Sequence, residues 1–367
     1  MLRISLALAM GVAFAGAAQA ASAWTGGDDL PTSPLACDAT PAAAAAKPYD
    51  GGAPTGAPDR KGKPIKIVDV PKLIGIGYFN ATSKGIADAA KELGNVEAKT
   101  DGPTKANIDE QITFIDNYIT SGVDGILFAA NDPVAIAPVL KKALSKGINV
   151  VGYDANSSPD ARQWFVNQAQ FNGIAKALID NMAKEAGEDA GVAIVTSTFT
   201  TPNQARWISE MAAYAAKCHP KLQWLETVEA QEDNNLSFSQ ATTLLNKHGE
   251  KLKGIFGMTS VATPASAEAV KQAGQCGKVA VVGLATPNAM KPYVQSDCVK
   301  SVVLWNPVDL GYAAAYVLRA AADGSLKPGD TSVKAGKLGD LQVINGSEIL
   351  LGAPFVFDKA NIAGFDF

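Results

Sequence analysis

The sequence predicts an α/β protein made of two doubly wound parallel-sheet lobes, and three observations carry that prediction. From Ile65 onward, short β-branched runs alternate with longer stretches of helical period, the pattern of a parallel sheet covered by helices on both faces. The alternation comes in two sets, in about 65–165 and again in about 168–304. The 303 residues that follow position 64 are about two domains of common size. With 47% hydrophobic and 19% charged residues, the chain can fill two cores but is too polar for a polytopic membrane protein.

Residues 1–20 read as a secretory signal. Arg3 is the positive n-region, an apolar run extends from Ile4 to about Ala15, and small residues end at Ala18-Gln19-Ala20. The run is shorter than the ~20 residues that span a bilayer, so the expectation is cleavage and export rather than anchoring. Position 21 is Ala, not the Cys of a lipoprotein. Residues 21–64 follow as an arm in which Pro, Ala and Gly make up 24 of 44 positions, including the run Ala42 to Ala46. Such a composition buries too little apolar surface to offset its chain entropy, so the arm is expected to lie on the surface. Trp24 and Cys37 are its possible anchors.

In the body, strands are predicted at Ile65–Val70, Gly125–Ala129, Asn149–Tyr153, Gly191–Thr196, Gly254–Gly257, Val279–Gly283 and Ser301–Trp305. Between them run helices with apolar stripes, such as Ile86, Ala89, Ala90 and Leu93, or Ile112, Ile115, Tyr118 and Ile119. Two lobes of this kind make a cleft, and in open parallel sheets ligands bind beyond the carboxyl ends of the strands. The residues there are Lys72, Tyr78, Phe79 and Asn80, then Asn131 and Asp132, then Asp154. The second set adds Asn203, Gln204, Arg206, Thr259, Ser260, Thr286, Trp305 and Asn306. Fixed donors and acceptors mixed with the flat faces of Tyr78, Phe79, Trp207 and Trp305 suit a hydroxyl-rich ligand: amides and carboxylates take hydroxyls, and rings cover C–H faces. The competing reading of each polar residue is a helix cap, and of each aromatic, core.

Other chemistry finds little material. The 32 basic and 36 acidic side chains form no long runs, so no footprint for nucleic acid or an anionic membrane is present. Two histidines, His219 and His248, and four widely spaced cysteines give no metal-ligand pattern. Gly75-Ile76-Gly77 reaches Asn80 where a dinucleotide fingerprint needs glycine, so no cofactor is expected. There is no GxxxxGK[ST] and no GxSxG, and both histidines sit at predicted helix ends. Asp132 and Asp154 form the one carboxylate pair that could be written for glycoside hydrolysis. Cys276 and Cys298 precede what should be neighbouring parallel strands, Val279–Gly283 and Ser301–Trp305, and are the expected disulfide. Cys37 with Cys218 is the second pairing, which would staple the arm to the second lobe.

Ordered matches across nearly all of 65–367 give the body a family resemblance. They are Val70-Pro71-Lys72-Leu73, Thr100 to Thr104, Val151 to Asp154, Val166-Asn167-Gln168, Val282 to Asn288, Met290 to Tyr293, Leu304 to Pro307 and Phe357 to Ile362. The chain resembles the type I periplasmic solute-binding proteins of bacterial sugar ABC importers, in the branch of the autoinducer-2 and rhamnose receptors. That resemblance implies two lobes joined by a three-segment hinge: 65–167 with about 307–345, and 168–306 with about 346–367. It also implies a periplasmic monomer that closes over a small sugar or polyol and docks on a membrane ABC permease, with a chemoreceptor as a further partner. Lys72 and Asp154 inherit the roles of holding ligand oxygens, Asn203 and Gln204 those of the polar pair in the next lobe, and Trp164 and Gln168 complete the implied set. Where the autoinducer-2 receptors carry Asp, Pro and Ala, this chain has Asn203, Met258 and Ser260; where ribose-type relatives carry Asp and Gln, it has Ala285 and Trp305. The expectation is therefore a less polar ligand, such as a deoxysugar, pentose or sugar alcohol. The alternatives are an autoinducer-2-type signal receptor and a secreted α/β enzyme acting on a sugar.

Overall fold

A computed structural model of the chain describes residues 32–39 and 47–367. The predicted signal, Trp24 and the alanine run Ala42 to Ala46 lie outside the described residues.

The first sheet has eight strands. Its parallel part is β2 (Val96–Thr100), β1 (Ile65–Val70), β3 (Gly125–Phe128), β4 (Asn149–Tyr153) and β5 (Trp164–Ala169) side by side. β13 (Glu348–Gly352) extends it in parallel beyond β5, and β12 (Asp340–Ile344) and β11 (Ser332–Lys334) continue it antiparallel. β3, β4 and β5 are buried along their whole length. They are covered by α1 (Gly77–Leu93), α2 (Ile108–Ser121), α3 (Ala137–Ser145) and α9 (Pro307–Ala322). Runs rich in β-branched residues are what a strand needs when both faces meet helices, which is why β4 and, despite exposed Lys66, β1 have the predicted bounds. β5 was not legible because Asn167 and Gln168 interrupt its apolar pattern, although both are buried.

The second sheet is parallel, in the order β7 (Gln223–Glu229), β6 (Gly191–Thr196), β8 (Leu252–Gly257) and β9 (Ala280–Gly283). A bridge from Leu284 to Val303 sets β10 (Ser301–Leu304) beside β9, and β14 (Phe355–Asp358) pairs antiparallel with β10. Its helices are α4 (Phe171–Ala186), α5 (Pro202–Cys218), α6 (Asn234–His248), α7 (Ala262–Gln272) and α8 (Pro287–Gln295).

The chain passes between the sheets after β5, after β10 and after β13. The last passage comes later than the sequence suggested. Residues 348–352 were expected in the second lobe, but β13 pairs with β5 in register Ile349 to Val166, and only β14 reaches the second sheet. A short strand carries no local mark of which sheet it will join. The segment ahead of it rejoins the first lobe through α9, which packs back to back on α1 through glycines. A Cβ on Gly85 would lie 1.8 Å from the Val308 carbonyl oxygen, and one on Gly311 2.0 Å from that of Thr82.

Both disulfides are formed. Cys276–Cys298 spans a Cα separation of 4.6 Å at the amino edge of β9 and β10, and Cys37–Cys218 one of 5.5 Å at the end of α5. The described arm lies on the surface as expected, but it is packed rather than loose. Residues 32–39 sit on the second lobe, where Ser33 N donates to Glu210 and Lys176 donates to the Cys37 carbonyl at 2.7 Å. Residues from 47 onward sit on the first lobe: the Tyr49 ring is 4.9 Å from that of Trp164, Gly52 N donates to Arg162 O, and buried Arg60 pairs with Asp124 at 3.0 Å. Among the described residues no helix is long and apolar enough to cross a membrane.

Candidate functional site

The carboxyl ends of both sheets face one cavity. On the first lobe, Gln111 of α2 ties the strand ends together: its side-chain amide donates to the carbonyls of Val70, Pro71 and Ala129, and its oxygen accepts from Asn131 N. Asn131 in turn donates to the Lys72 carbonyl at 2.8 Å. Lys72 is thus held rigidly just past β1. Asp154, just past β4, has φ 59°, a left-handed conformation that Asp adopts more readily than most residues. It aims its carboxylate at Lys72, whose Nζ lies 3.1 Å away, and each side chain is 4% exposed.

Tyr78, in the first turn of α1, donates its hydroxyl proton to Asp154 at 2.9 Å and accepts the indole N–H of Trp305 from the other lobe, also at 2.9 Å. Burial, then the neighbouring Asp154 charge, pushes the Tyr78 phenol well above its usual range, so it stays a donor. The second lobe closes the ring. Lys72 donates to Asn203 Oδ1 at 3.2 Å. Gln204 accepts from the Thr196 hydroxyl at 2.6 Å and from Ser197 N at 2.8 Å, and passes its own N–H to Glu232 at 3.2 Å. Burial raises the Glu232 carboxyl above its usual range; Lys72, Thr259 and Gln204 act against that rise. Desolvated polar groups of this kind persist only when hydrogen-bonded to one another, and these are.

The free space in the cavity is about 30 Å³, enough for one or two water molecules in this conformation. Its lining divides in two. The polar part is the network just described with Thr259 and Ser260; the apolar part is Ile76, Phe79, Trp207, Met258, Leu284, Leu304 and the Trp305 ring. Trp207 and Trp305 lie 5.7 Å apart, and Tyr78 meets Phe79 and Trp305 edge-on. One cation, Lys72, stands among two carboxyl groups, Asp154 and Glu232.

Of the residues predicted for the site, Lys72, Tyr78, Phe79, Asp154, Asn203, Gln204, Thr259, Ser260 and Trp305 come together in this cavity. The others lie outside its lining. Asn80 is exposed on α1, turned away because Tyr78 and Phe79 occupy the buried face. Asp132 accepts from Val134 N and Ala135 N in the turn ahead of α3, and Asn306, the N-cap of α9, accepts from Val308 N and Asp309 N. Thr286 is buried at the N-cap of α8. Trp164 packs within β5 against Tyr49, and Gln168 is buried in the same strand with neither amide atom hydrogen-bonded. Arg206 turns to Glu210, 2.6 Å away, and to the Phe171 ring. Asp132 therefore does not share the cavity with Asp154, and the carboxylate pair written for glycoside hydrolysis is not assembled.

Sequence reasoning missed Glu232. The strand-end rule would have found it after β7, but that stretch was weighed only for the pairing of Cys218. Half-buried Glu226 and Glu229 in it mark an edge strand rather than a core one.

Comparisons with known proteins agree with this architecture. A family model described as a periplasmic binding protein domain matches residues 67–326. The chain is 30% identical over 202 residues to a D-ribose/D-allose-binding protein of Pseudomonas aeruginosa, a match that spans 52% of this chain and 60% of that protein. It is 28% identical over 252 residues to the D-allose-binding periplasmic protein of Escherichia coli, spanning 65% of this chain and 79% of the relative. Among solved structures, an ABC transporter solute-binding protein of Clostridium phytofermentas with bound L-rhamnose superposes with a TM-score of 0.79 at 30% identity, covering 82% of this chain and 98% of that one. With two α/β lobes, three passages between them and a polar cavity at the junction, the chain belongs to the periplasmic binding protein family.

Proposed function

We propose that this protein captures a small neutral sugar or polyol in the cavity between its lobes and delivers it to a membrane ABC permease. The observation that carries the reading is one hydrogen-bonded set, Lys72, Asp154, Tyr78, Asn203 and Gln204, drawn from both lobes and facing an aromatic and aliphatic wall. Such a wall suits the C–H face or methyl group of a deoxysugar, pentose or sugar alcohol, while the polar set takes its hydroxyls. Closure that joins Lys72 to Asn203 and Tyr78 to Trp305 converts occupancy into a shape that a permease, or equally a chemoreceptor, can read. The protein works in the periplasm as a monomer after removal of residues 1–20, and binds its ligand without a cofactor and without transforming it. The relatives named above, which bind ribose, allose or rhamnose, support the ligand class.

The test is a thermal-shift screen of purified, ligand-stripped protein against monosaccharides, deoxysugars, polyols and autoinducer-2, because a ligand of the folded state raises the midpoint by mass action. A saturable shift from one sugar or polyol is expected, and Asp154→Ala should weaken that ligand more than tenfold, about 1.5 to 3 kcal/mol for a charge-assisted hydrogen bond. A shift from autoinducer-2 alone would make the protein a signal receptor instead. Conversion of the bound sugar to a product would make it an enzyme.

A further inference from the structure

Glu232, like Asp154, is placed in the lining by a left-handed backbone. It follows β7 in a turn where Gln231 and Glu232 both take left-handed φ, 51° and 54°, a conformation that non-glycine residues avoid and that clusters at binding sites. The turn is pinned by Ala230 N to Thr196 O at 2.8 Å and Gln231 N to Ser197 O at 2.9 Å, and Asp233 caps α6 by accepting from Leu236 N. The side chain so placed lines both the inner cavity and the wider groove that opens from it past Leu73 and Asn107. Glu232 stands at the mouth.

Its orientation is set by Gln204. The Gln204 oxygen is taken by the Thr196 hydroxyl and Ser197 N, so the amide has one sense only and its N–H points at Glu232 Oε1. A carboxyl group offers about four acceptor positions, and this single donor leaves about three of them without a protein partner. Among the described residues no salt bridge reaches Glu232: Lys72 lowers its carboxyl through its charge but is bonded to Asp154 and Asn203.

We propose that Glu232 is a specificity-determining residue of the cleft, meeting a ligand hydroxyl at the mouth, with Gln204 as the residue that positions it. The inference rests on the sugar-binding reading above and adds to it a polar group where the cavity and the groove share their lining.

The test is isothermal titration of ligand-stripped wild type, E232A, E232Q, Q204A and the E232A/Q204A double variant. The probe is whichever of D-ribose, D-allose, D-arabinose, L-rhamnose and xylitol binds wild type tightest, together with its monodeoxy analogues. E232A should bind that probe at least tenfold more weakly. One monodeoxy analogue should lose at least tenfold on wild type and less than threefold on E232A, the signature of a lost pair rather than a loosened site. Adding E232A to Q204A should cost less than a further threefold, which a merely structural Gln204 would not produce. Should E232A lack the folded circular dichroism spectrum, the nearly isosteric E232Q carries the same comparison. Affinities within threefold of wild type in both Glu232 variants, or deoxy penalties unchanged by them, overturn the proposal. If wild type binds none of the five probes, the sugar reading itself fails and takes this inference with it.

Discussion

Replacing Cys37 and Cys218 by serine removes a cross-link that closes 181 residues of chain, against 22 for Cys276–Cys298. In the chain-entropy treatment, a link over the longer span restricts the unfolded chain by roughly 5 kcal/mol and the shorter one by about 3 kcal/mol. Those values apply when the native state does not need the bond to hold its geometry, and here the seat of residues 32–39 is independently built. Ser33 N reaches both carboxylate oxygens of Glu210 at 3.1 Å, Asn172 donates to Ser33 O at 3.0 Å, and Lys176 donates to Cys37 O. Leu35 also packs against the core. The change therefore falls on the unfolded state. Urea unfolding followed by circular dichroism, on wild type and on each double-serine variant, should show the Cys37/Cys218 pair losing about 5 kcal/mol and the Cys276/Cys298 pair about 3 kcal/mol. Cys218 ends α5, about 22 Å along the helix from Asn203, so sugar affinity should stay within twofold. A loss in the Cys276/Cys298 variant equal to or larger than in the other would refute the reasoning, because loop length would not then set the stabilisation.

Asp69, fully buried on β1, accepts from the Tyr153 and Thr100 hydroxyls, yet burial pushes its carboxyl up to about 7. Its folded pKa lies above the unfolded value near 4, so the folded state holds the proton more tightly. Stability from this group is full below about pH 4 and falls as pH rises to about 7, by up to about 4 kcal/mol. Urea midpoints between pH 4.5 and 8 should therefore decline less steeply in Asp69→Asn, and an unchanged decline would remove Asp69 as the cause. At the α1–α9 contact, Gly85→Ala or Gly311→Ala places a methyl group within 2.0 Å of a backbone oxygen, and overpacking of this kind costs about 1 to 3 kcal/mol or more. Calorimetric midpoints should drop in each, and a midpoint equal to wild type in either would show that the helices can move apart freely.

Legibility followed local pattern. β4 and β6 have the predicted bounds because their apolar runs are nearly unbroken and buried on both faces, and β1 because its Ile and Val positions prevail over exposed Lys66. β5 carries Asn167 and Gln168 inside the sheet, and β11 to β13 are short, so their periodicity was too weak to read. At the site, Lys72 and Asp154 were found by position after a strand and by resemblance. The same positional rule also chose Asn306, which caps a helix, Asp132, which closes a turn, and Thr286, which stands at an N-cap position without a side-chain bond to it. A short polar side chain after a strand suits either task, because the backbone N–H groups of the next helix and a ligand lie in nearly the same direction.

While the Cys37–Cys218 bond was only one option until the structure formed it, the sequence by itself determined the α/β class, the two lobes, the Cys276–Cys298 pair and the presence of a polar, aromatic-rich rim at the strand ends. These follow from hydrophobic period and order along the chain, which are local quantities. The tertiary structure alone decided which rim residues share a cavity. Lys72 meets Asn203 across 131 residues of chain and Tyr78 meets Trp305 across 227, contacts that require both lobes to be folded and closed. It also decided where Glu232 points, through a left-handed turn whose strain is held by bonds to the neighbouring strand. Period and spacing say where a residue stands along an element; only backbone conformation and the docking of distant elements say what its side chain faces.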